Sequence, residues 1–188
     1  MLVENCRVRN GDDCVPVFPP TSNLTVRNVS CECGNGVTIA VWPDLSVWGS
    51  GGDITNVVFD DIVCEGTNNC ISLKSMPEFV GKVSNVTFSN ILMTNVTTAV
   101  AFDMLAQGLE VGVGSTSSRV TIVNVTGTAS EAGHFTCSPN KPCTDLRLIN
   151  VHLTPRDKSD TLKYACVSAK GSYRDSSPVP CGWPEEGL

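Results

Sequence analysis

The sequence has few basic residues, few aromatic residues and no long apolar segment. Thirteen lysines and arginines stand against 19 aspartates and glutamates, giving a net charge of −6 and a pI near 4.8. The basic footprint that sequence-independent binding to nucleic acid needs is therefore missing. No run approaches the ~20 consecutive apolar residues of a membrane span. Leucine (12) and alanine (8) are outnumbered by valine (25) and threonine (17), so the 188 residues predict one acidic, β-rich domain that binds neither nucleic acid nor membrane.

Cysteine, in contrast, is abundant for a chain of this length. The close pairs Cys64/Cys70 and Cys137/Cys143 predict small disulfide loops, which are typical of secreted proteins. Zinc binding is the alternative, because Cys31 and Cys33 offer two thiolates. The unusual spacing and the presence of only two histidines favour disulfides. We expect no metal and no other cofactor.

Five N-glycosylation sequons also indicate an extracellular protein. They begin at Asn23, Asn28, Asn85, Asn95 and Asn124. A strand repeat of asparagine, an apolar residue and threonine produces the same motif, so we expect two or three sites to carry glycans. The chain opens with MLVENCRV, which lacks the charged and apolar regions of a signal peptide. A secreted composition without such a segment predicts that the true N-terminus is missing.

One alternating motif recurs along the chain and is typical of half-buried strands. Its polar turn position falls, at intervals of 23, 33, 29, 34 and 26 residues, on Asn5, Asn28, Asp61, Asn90, Asn124 and Asn150. A weaker set of strands, DCVPV, GVTIA, CISLK and AVAFD, lies between the repeats. Short strands at this period without helices predict a parallel β-helix, in which stacked asparagines bond to the backbone of the next coil. An antiparallel sandwich is the alternative, although two-residue hairpin signals are scarce.

The period divides the chain into two parts. Residues 1–154 are predicted to form the coils, and residues 155–188 lose the period and predict a C-terminal cap closed by a disulfide at Cys166 and Cys181. The segment 41–53 is rich in tryptophan and glycine and predicts a loop that projects from the solenoid.

The candidate chemistry lies in the run Asn-Gly-Asp-Asp-Cys at positions 10–14. Adjacent residues of a strand point to opposite faces, so Asp12 and Asp13 act together only if the backbone bends, and Asn10 and Gly11 allow a bend. Two neighbouring carboxylates disfavour simultaneous ionisation, so one is expected to hold a proton while the other stays charged. Glycoside hydrolysis needs this combination of acid and base. Solvated turns and calcium sites contain the same pair.

Four features together resemble glycoside hydrolase family 28, the polygalacturonases and related pectin hydrolases. They are GDDCV, the interval from Cys14 to Cys31, the motif Gly34-Asn35-Gly36, and Ser72-Leu73-Lys74; the closing YACVSAKGSYRDSSPVPC is similar to the end of plant members. The family pattern in this order is Asn-Thr-Asp, Gly-Asp-Asp, Gly-His-Gly and Arg-Ile-Lys. The resemblance implies a right-handed parallel β-helix whose N-terminal coils, with the first aspartate, are missing from this chain.

The same resemblance implies roles for individual residues. Asp12 would be the general acid, and Asp13 would activate water in an inverting hydrolysis of pectic polysaccharide in the cell wall. Lys74 would hold a uronate carboxylate, with Asn35 beside it at the substrate. Cys14 and Cys31 would form a disulfide.

Two substitutions depart from the family pattern and leave the substrate open. Asn35 replaces a histidine, and its amide carries no titratable proton. Ser72 replaces an arginine that would clamp a carboxylate. The branch that cleaves rhamnogalacturonan lacks the same two residues, so either polygalacturonan or rhamnogalacturonan fits. A carbohydrate-binding β-helix without activity and a purely structural solenoid are the alternatives.

Overall fold

A computed structural model describes residues 1–41, 52–76, 80–105 and 115–187. These residues form eleven strands and no helix. The strands are β1 (Leu2–Arg9), β2 (Asp13–Val17), β3 (Thr21–Glu32), β4 (Asn35–Val41), β5 (Ile54–Glu65), β6 (Asn69–Ser75), β7 (Lys82–Asp103), β8 (Thr116–Thr136), β9 (Cys143–Pro155), β10 (Tyr164–Val167) and β11 (Ala169–Ser177). The predicted loop at 41–53 lies almost entirely outside the described residues. No helix in the described ranges is long and apolar enough to span a bilayer.

The strands stack as successive coils of a parallel β-helix, which confirms the predicted fold. All ten pairings between these strands are parallel, so the antiparallel sandwich is wrong. One face is formed by β1, β3, β5, the first halves of β7 and β8, then β9 and β11. The other face, called here the short-strand face, is formed by β2, β4, β6, the second halves of β7 and β8, and β10.

The recurring polar residues form a column of identical bends along the solenoid. Seven residues in register share a φ of 45° to 58°: Asn5, Asn28, Asp61, Asn90, Asn124, Asn150 and Asp175. Asparagine and aspartate tolerate this left-handed conformation better than other residues with a side chain. Their side chains bond to one another rather than to the next backbone, as where Asn124 Nδ2 donates to Asn90 Oδ1 at 3.1 Å. The predicted hydrogen bonds from these side chains to the backbone of the next coil are therefore wrong.

The core runs through the solenoid as stacks of like residues. Because parallel strands are paired in register, an inward side chain lies on its counterpart one coil away. Phe59 and Phe88 stack with ring centroids 5.0 Å apart, and Phe102 meets Phe135 edge-on at the same separation. All four rings are fully buried.

Four disulfides reinforce the coils, and they include both loops predicted from close spacing. They are Cys14–Cys31, Cys64–Cys70, Cys137–Cys143 and Cys166–Cys181. Cys31 is therefore unavailable to zinc, whereas Cys6 and Cys33 remain free thiols. Beyond residue 155, β10 and β11 pair in parallel with β8 and β9, and the last disulfide joins β10 to the segment after β11.

Candidate active site

The two adjacent aspartates lie at the bend between β1 and β2, which Asn10 organises. The Asn10 side chain accepts a hydrogen bond from the Asp12 backbone N–H at 3.3 Å and donates one to the Asp13 carbonyl oxygen at 3.1 Å. Gly11, expected to supply the freedom for this bend, does not take a positive φ and has open space around it. The asparagine side chain, rather than the glycine, therefore shapes the turn.

The glycines of the Gly34-Asn35-Gly36 motif are required by close contact between coils. Gly34 has a φ of +54°, and a Cβ there would lie 2.4 Å from the Asp12 carbonyl oxygen. A Cβ on Gly36 would lie 2.1 Å from the carbonyl oxygen of Cys70. Between them, the Asn35 backbone N–H donates to the Asp12 carbonyl at 2.9 Å. The motif thus fixes the second coil directly against the aspartates.

Asp13 is held by three donors from the two following coils. Its Oδ1 accepts hydrogen bonds from Asn35 Nδ2 at 3.1 Å and from Thr38 Oγ1 at 2.9 Å. Its Oδ2 accepts one from Lys74 Nζ at 2.9 Å, which also makes an ion pair. The Asp13 side chain is 12% exposed. Both oxygens of this carboxylate therefore act as hydrogen-bond acceptors.

Asp12 has the opposite environment, because it is exposed to solvent. Its Oδ1 accepts the Asp13 backbone N–H at 2.7 Å, and the residue as a whole is exposed. Both aspartates line a cavity of about 220 Å³ together with Phe18, Ala40 and Lys74. Phe18 is 41% exposed, unlike the buried phenylalanines of the core.

The structure therefore brings together all four residues singled out in the sequence: Asp12, Asp13, Asn35 and Lys74. Sequence reasoning missed Thr38 and Phe18. The alternation Val37, Thr38, Ile39 on β4 was the available signal for the first, since alternate residues of a strand point to opposite faces and Thr38 therefore points away from the side of Val37 and Ile39. Phe18 carried no signal, since its position depends on the turn that follows β2.

Ser72 lies on the strand that carries Lys74, where the family pattern has arginine. Its register partners are Thr38 and Ala101, and it is 4% exposed. Its hydroxyl has no hydrogen-bond partner among the residues that the structure describes. Among the described residues, no group of three histidine, cysteine, aspartate or glutamate side chains is arranged to hold a metal ion.

This arrangement offers complementary groups for acid–base chemistry. A solvent-facing carboxyl and a carboxylate fixed by three donors lie on adjacent residues beside an open cavity. An exposed carboxyl is able to give a proton to a bound ligand, and an ionised acceptor is able to orient a water molecule.

Comparison with known proteins gives one consistent result. The sequence model of Glycosyl hydrolases family 28 matches residues 1–171. Polygalacturonase QRT2 of Arabidopsis thaliana is 29% identical over 188 residues, which cover 96% of this chain and 42% of the relative. Exopolygalacturonase rpg13 of Rhizopus delemar is 29% identical, covering 93% of this chain and 50% of the relative, and a polygalacturonase of Prunus persica is 31% identical, covering 92% and 44%. The chain thus spans about half the length of the curated relatives it matches.

Proposed function

The chain belongs to glycosyl hydrolases family 28, and from that premise we propose that it hydrolyses glycosidic bonds in pectic polysaccharide. The observation that carries the proposal is the environment of the paired aspartates, one exposed and one fixed as an acceptor beside the same cavity. The names of the relatives, all polygalacturonases or exopolygalacturonases, support a pectic substrate. Either polygalacturonan or rhamnogalacturonan fits this proposal.

In the proposed mechanism, Asp12 is the general acid. Its exposed carboxyl group protonates the leaving glycosidic oxygen as the bond to the anomeric carbon breaks. Asp13 accepts a proton from the attacking water, which adds to the opposite face of the sugar and inverts its configuration. Inversion needs about 6.5–9.5 Å between the acid and the base, enough for a water molecule beside the sugar.

Asn35 and Lys74 orient the base and face the substrate. The Asn35 amide and the Lys74 ammonium each hold one oxygen of Asp13, and Lys74 has further N–H groups for the oxygens of a bound sugar. Thr38 adds the third contact. These bonds keep Asp13 in one orientation, which is how a positioned base contributes to rate.

The proposed location is the extracellular space of the cell wall. Four disulfides persist in an oxidising compartment and are rare in the cytosol. The five sequons are compatible with passage through the secretory pathway. We also propose that residues 1–154 form the coils of the solenoid and that residues 155–188 form its C-terminal cap.

The test is release of reducing ends from polygalacturonan and from rhamnogalacturonan, with the wild-type chain and Asp12→Asn. Asparagine keeps the Oδ1 that accepts the Asp13 backbone N–H, so the turn is preserved while the acid proton is lost. We expect a fall in kcat of about 10²–10⁴-fold with an unchanged melting temperature. Asp61→Asn is the matched control, because it makes the same chemical change in a left-handed bend where asparagine fits. Turnover by Asp12→Asn at the wild-type rate removes Asp12 from the mechanism.

A second candidate function is carbohydrate binding without hydrolysis. Asn35 favours it, because an amide at this position carries no titratable proton. Binding of pectic oligosaccharides by the wild-type chain, with no reducing ends released from either polymer, would select this function.

A further inference from the structure

Three of the five glycosylation sequons have the same local sequence and different structural environments. Asn85, Asn95 and Asn124 each begin the tripeptide Asn-Val-Thr, and all three residues are exposed. Each also has a left-handed backbone, with a φ of 55° to 57°. Any difference between them as glycan acceptors in the folded protein must therefore come from their contacts with neighbouring coils.

The side-chain nitrogens of two of these asparagines are already bonded. In the column of left-handed bends, Asn124 Nδ2 donates a hydrogen bond to Asn90 Oδ1 at 3.1 Å, and Asn124 Oδ1 accepts one from Asn150 at 2.9 Å. In a second column of asparagines in register, Asn85 Nδ2 donates to Asn56 Oδ1 at 2.7 Å. Each of these nitrogens therefore holds a side chain of the next coil, about 4.8 Å along the solenoid.

Asn95 lies outside both columns, at a β-bulge. The register between β7 and β8 shifts between Met93 and Val96, where β7 has one residue more than its partner strand. The Asn95 backbone N–H donates to Thr128 Oγ1 at 2.9 Å. Its side-chain nitrogen has no hydrogen-bond partner in the ranges that the structure describes. Asn95 Nδ2 therefore has both of its N–H groups available.

The surface beside Asn95 has room for a sugar. Asn95 lines a concave surface of about 560 Å³ that also includes Glu65, Gly66 and Thr94. Because Glu65 is the register partner of Thr94, Gly66 is the residue that follows on the neighbouring coil. Open space surrounds the position that a Cβ on Gly66 would occupy. The neighbouring coil therefore offers a glycine, rather than a stacked asparagine, at this point.

We propose that Asn95 is an N-glycosylation site of the folded protein and that Asn85 and Asn124 remain unmodified. The proposal rests on the extracellular location in the proposed function and not on the hydrolase activity. In the reaction, Asn95 Nδ2 forms a bond to the anomeric carbon of an oligosaccharide that is carried on a lipid diphosphate. The bond between that carbon and the diphosphate oxygen breaks, the lipid diphosphate leaves, and Nδ2 gives up one proton.

The columns disfavour a glycan because the modified nitrogen would have to serve two purposes. A glycosylated Nδ2 keeps only one N–H and carries a bulky sugar. At Asn124, that single N–H would have to maintain the bond to Asn90 while the sugar passes the stacked side chains of adjacent coils. Once a column has formed, its nitrogens are also withheld from the transferring enzyme. At Asn95 the modification removes no hydrogen bond of the folded protein.

The first experiment measures glycan occupancy at each sequon. The full chain is directed into the secretory pathway of a eukaryotic host by a cleavable signal, and the secreted protein is collected. A peptide N-glycosidase in heavy-oxygen water then converts each glycan-bearing asparagine to labelled aspartate, which mass spectrometry quantifies peptide by peptide. We expect occupancy at Asn95 to exceed that at Asn85 and Asn124 by at least about fivefold, the change in population that one lost hydrogen bond produces. Equal occupancy at the three sites, or higher occupancy at Asn85 or Asn124, overturns the proposal.

Two threonine variants form a matched pair for the same question. Thr97→Ala and Thr126→Ala each remove the hydroxyl that a sequon requires, at an exposed position, and leave the asparagine in place. Thr97→Ala should shift the electrophoretic mobility of the secreted protein toward that of the enzymatically deglycosylated protein. Thr126→Ala should leave the mobility unchanged. An unchanged mobility for Thr97→Ala contradicts the proposal, and so does a shift for Thr126→Ala.

Asn90→Gly tests whether the column itself protects Asn124. Glycine tolerates the left-handed backbone at this position, and the substitution removes the oxygen that accepts the bond from Asn124 Nδ2. We expect occupancy at Asn124 to rise several-fold in this variant. Asn85 is the internal control, because its acceptor on Asn56 is intact and its occupancy should not change. The same low occupancy at Asn124 as in the wild type would overturn selection of the site by this hydrogen bond.

Reducing-end release by the same secreted protein keeps this inference distinct from the proposed function. A chain that carries a glycan on Asn95 and releases no reducing ends would uphold the glycosylation site and refute the hydrolase. Reducing-end release by a chain whose Asn95 carries no glycan would uphold the hydrolase and refute the glycosylation site.

Discussion

Thr38 Oγ1 donates a hydrogen bond to Asp13 Oδ1 at 2.9 Å across 25 residues of sequence. The threonine is fully buried and lies on β4, one coil away from the aspartate. The same oxygen also accepts the Asn35 amide, so the second coil fixes one side of the carboxylate and Lys74 fixes the other. Asp13 is therefore positioned by packing between coils rather than by its own turn.

Thr38→Val tests this positioning, because valine has nearly the same shape and no donor. We expect kcat to fall about tenfold with little change in KM, since the base loses one of three contacts while the cavity is unchanged. Thr38→Ser restores the donor and should recover most of the activity. Thr38→Ser no more active than Thr38→Val would show that the hydroxyl does not position Asp13.

The repeat could be predicted from the sequence because it depends on the local pattern of residue types. Alternating apolar residues give the strands, and Asn28, Asn90 and Asn124 occupy left-handed bends that few other residues tolerate. The contacts of Asp13 could not be predicted in this way. They depend on the register between coils of unequal length, which no local pattern specifies.

The roles of the glycines at the site were also difficult to predict from local sequence. Asn10 and Gly11 together were expected to allow the bend, because asparagine followed by glycine is a turn signal. The structure uses the side chain of Asn10 there and needs glycine instead at Gly34 and Gly36, where another coil approaches within 2.8 Å of where a Cβ would lie. Such contacts join residues far apart in sequence, so a local signal does not reveal them.

The column of left-handed bends stabilises the protein at Asn90 in two ways, through the backbone conformation and through the side-chain hydrogen bonds. This residue has a φ of 54°, donates to Asp60 Oδ1 at 2.7 Å and accepts from Asn124. Asn90→Ala loses these bonds and strains the backbone, so we expect about 2 kcal/mol less free energy of unfolding. Asn90→Gly relieves the strain and should lose about 1 kcal/mol. Urea denaturation measures both, and equal losses would mean that the left-handed backbone carries no cost here.

The disulfide next to the aspartates is predicted to contribute more than a shorter one. Cys14–Cys31 closes a loop with a sequence separation of 17, and Cys64–Cys70 one of 6. Replacing each pair by alanine should lower the free energy of unfolding by about 3 and about 2 kcal/mol respectively, because the longer loop restricts the unfolded chain more. A background with both Cys6→Ser and Cys33→Ser removes the two free thiols and prevents disulfide exchange during the measurement. A larger loss for the shorter loop would contradict this ordering.

Tyr164 links stability to alkaline pH. Its side chain packs against Phe135, with ring centroids 5.8 Å apart, and its buried hydroxyl has no hydrogen-bond partner within the described part of the chain. Burial disfavours the phenolate and raises the pKa of Tyr164 above its ordinary value. The unfolded chain loses this proton near pH 10, while the folded protein retains it to higher pH.

The sign of the effect follows from the protons bound in each state. Above about pH 10 the unfolded state binds fewer protons than the folded state, so ionisation favours unfolding. Stability is fully present below that pH and is lost as pH rises, by up to about 1.4 kcal/mol per pH unit from this residue. Tyr164→Phe keeps the packed ring and removes the ionisation, so its free energy of unfolding should fall less steeply between about pH 10 and about pH 11.5. Parallel curves for the two proteins in urea denaturation across this range would show that Tyr164 ionises equally in both states. At neutral pH the variant should be as stable as the wild type or about 1 kcal/mol more stable, because it buries no unpaired hydroxyl.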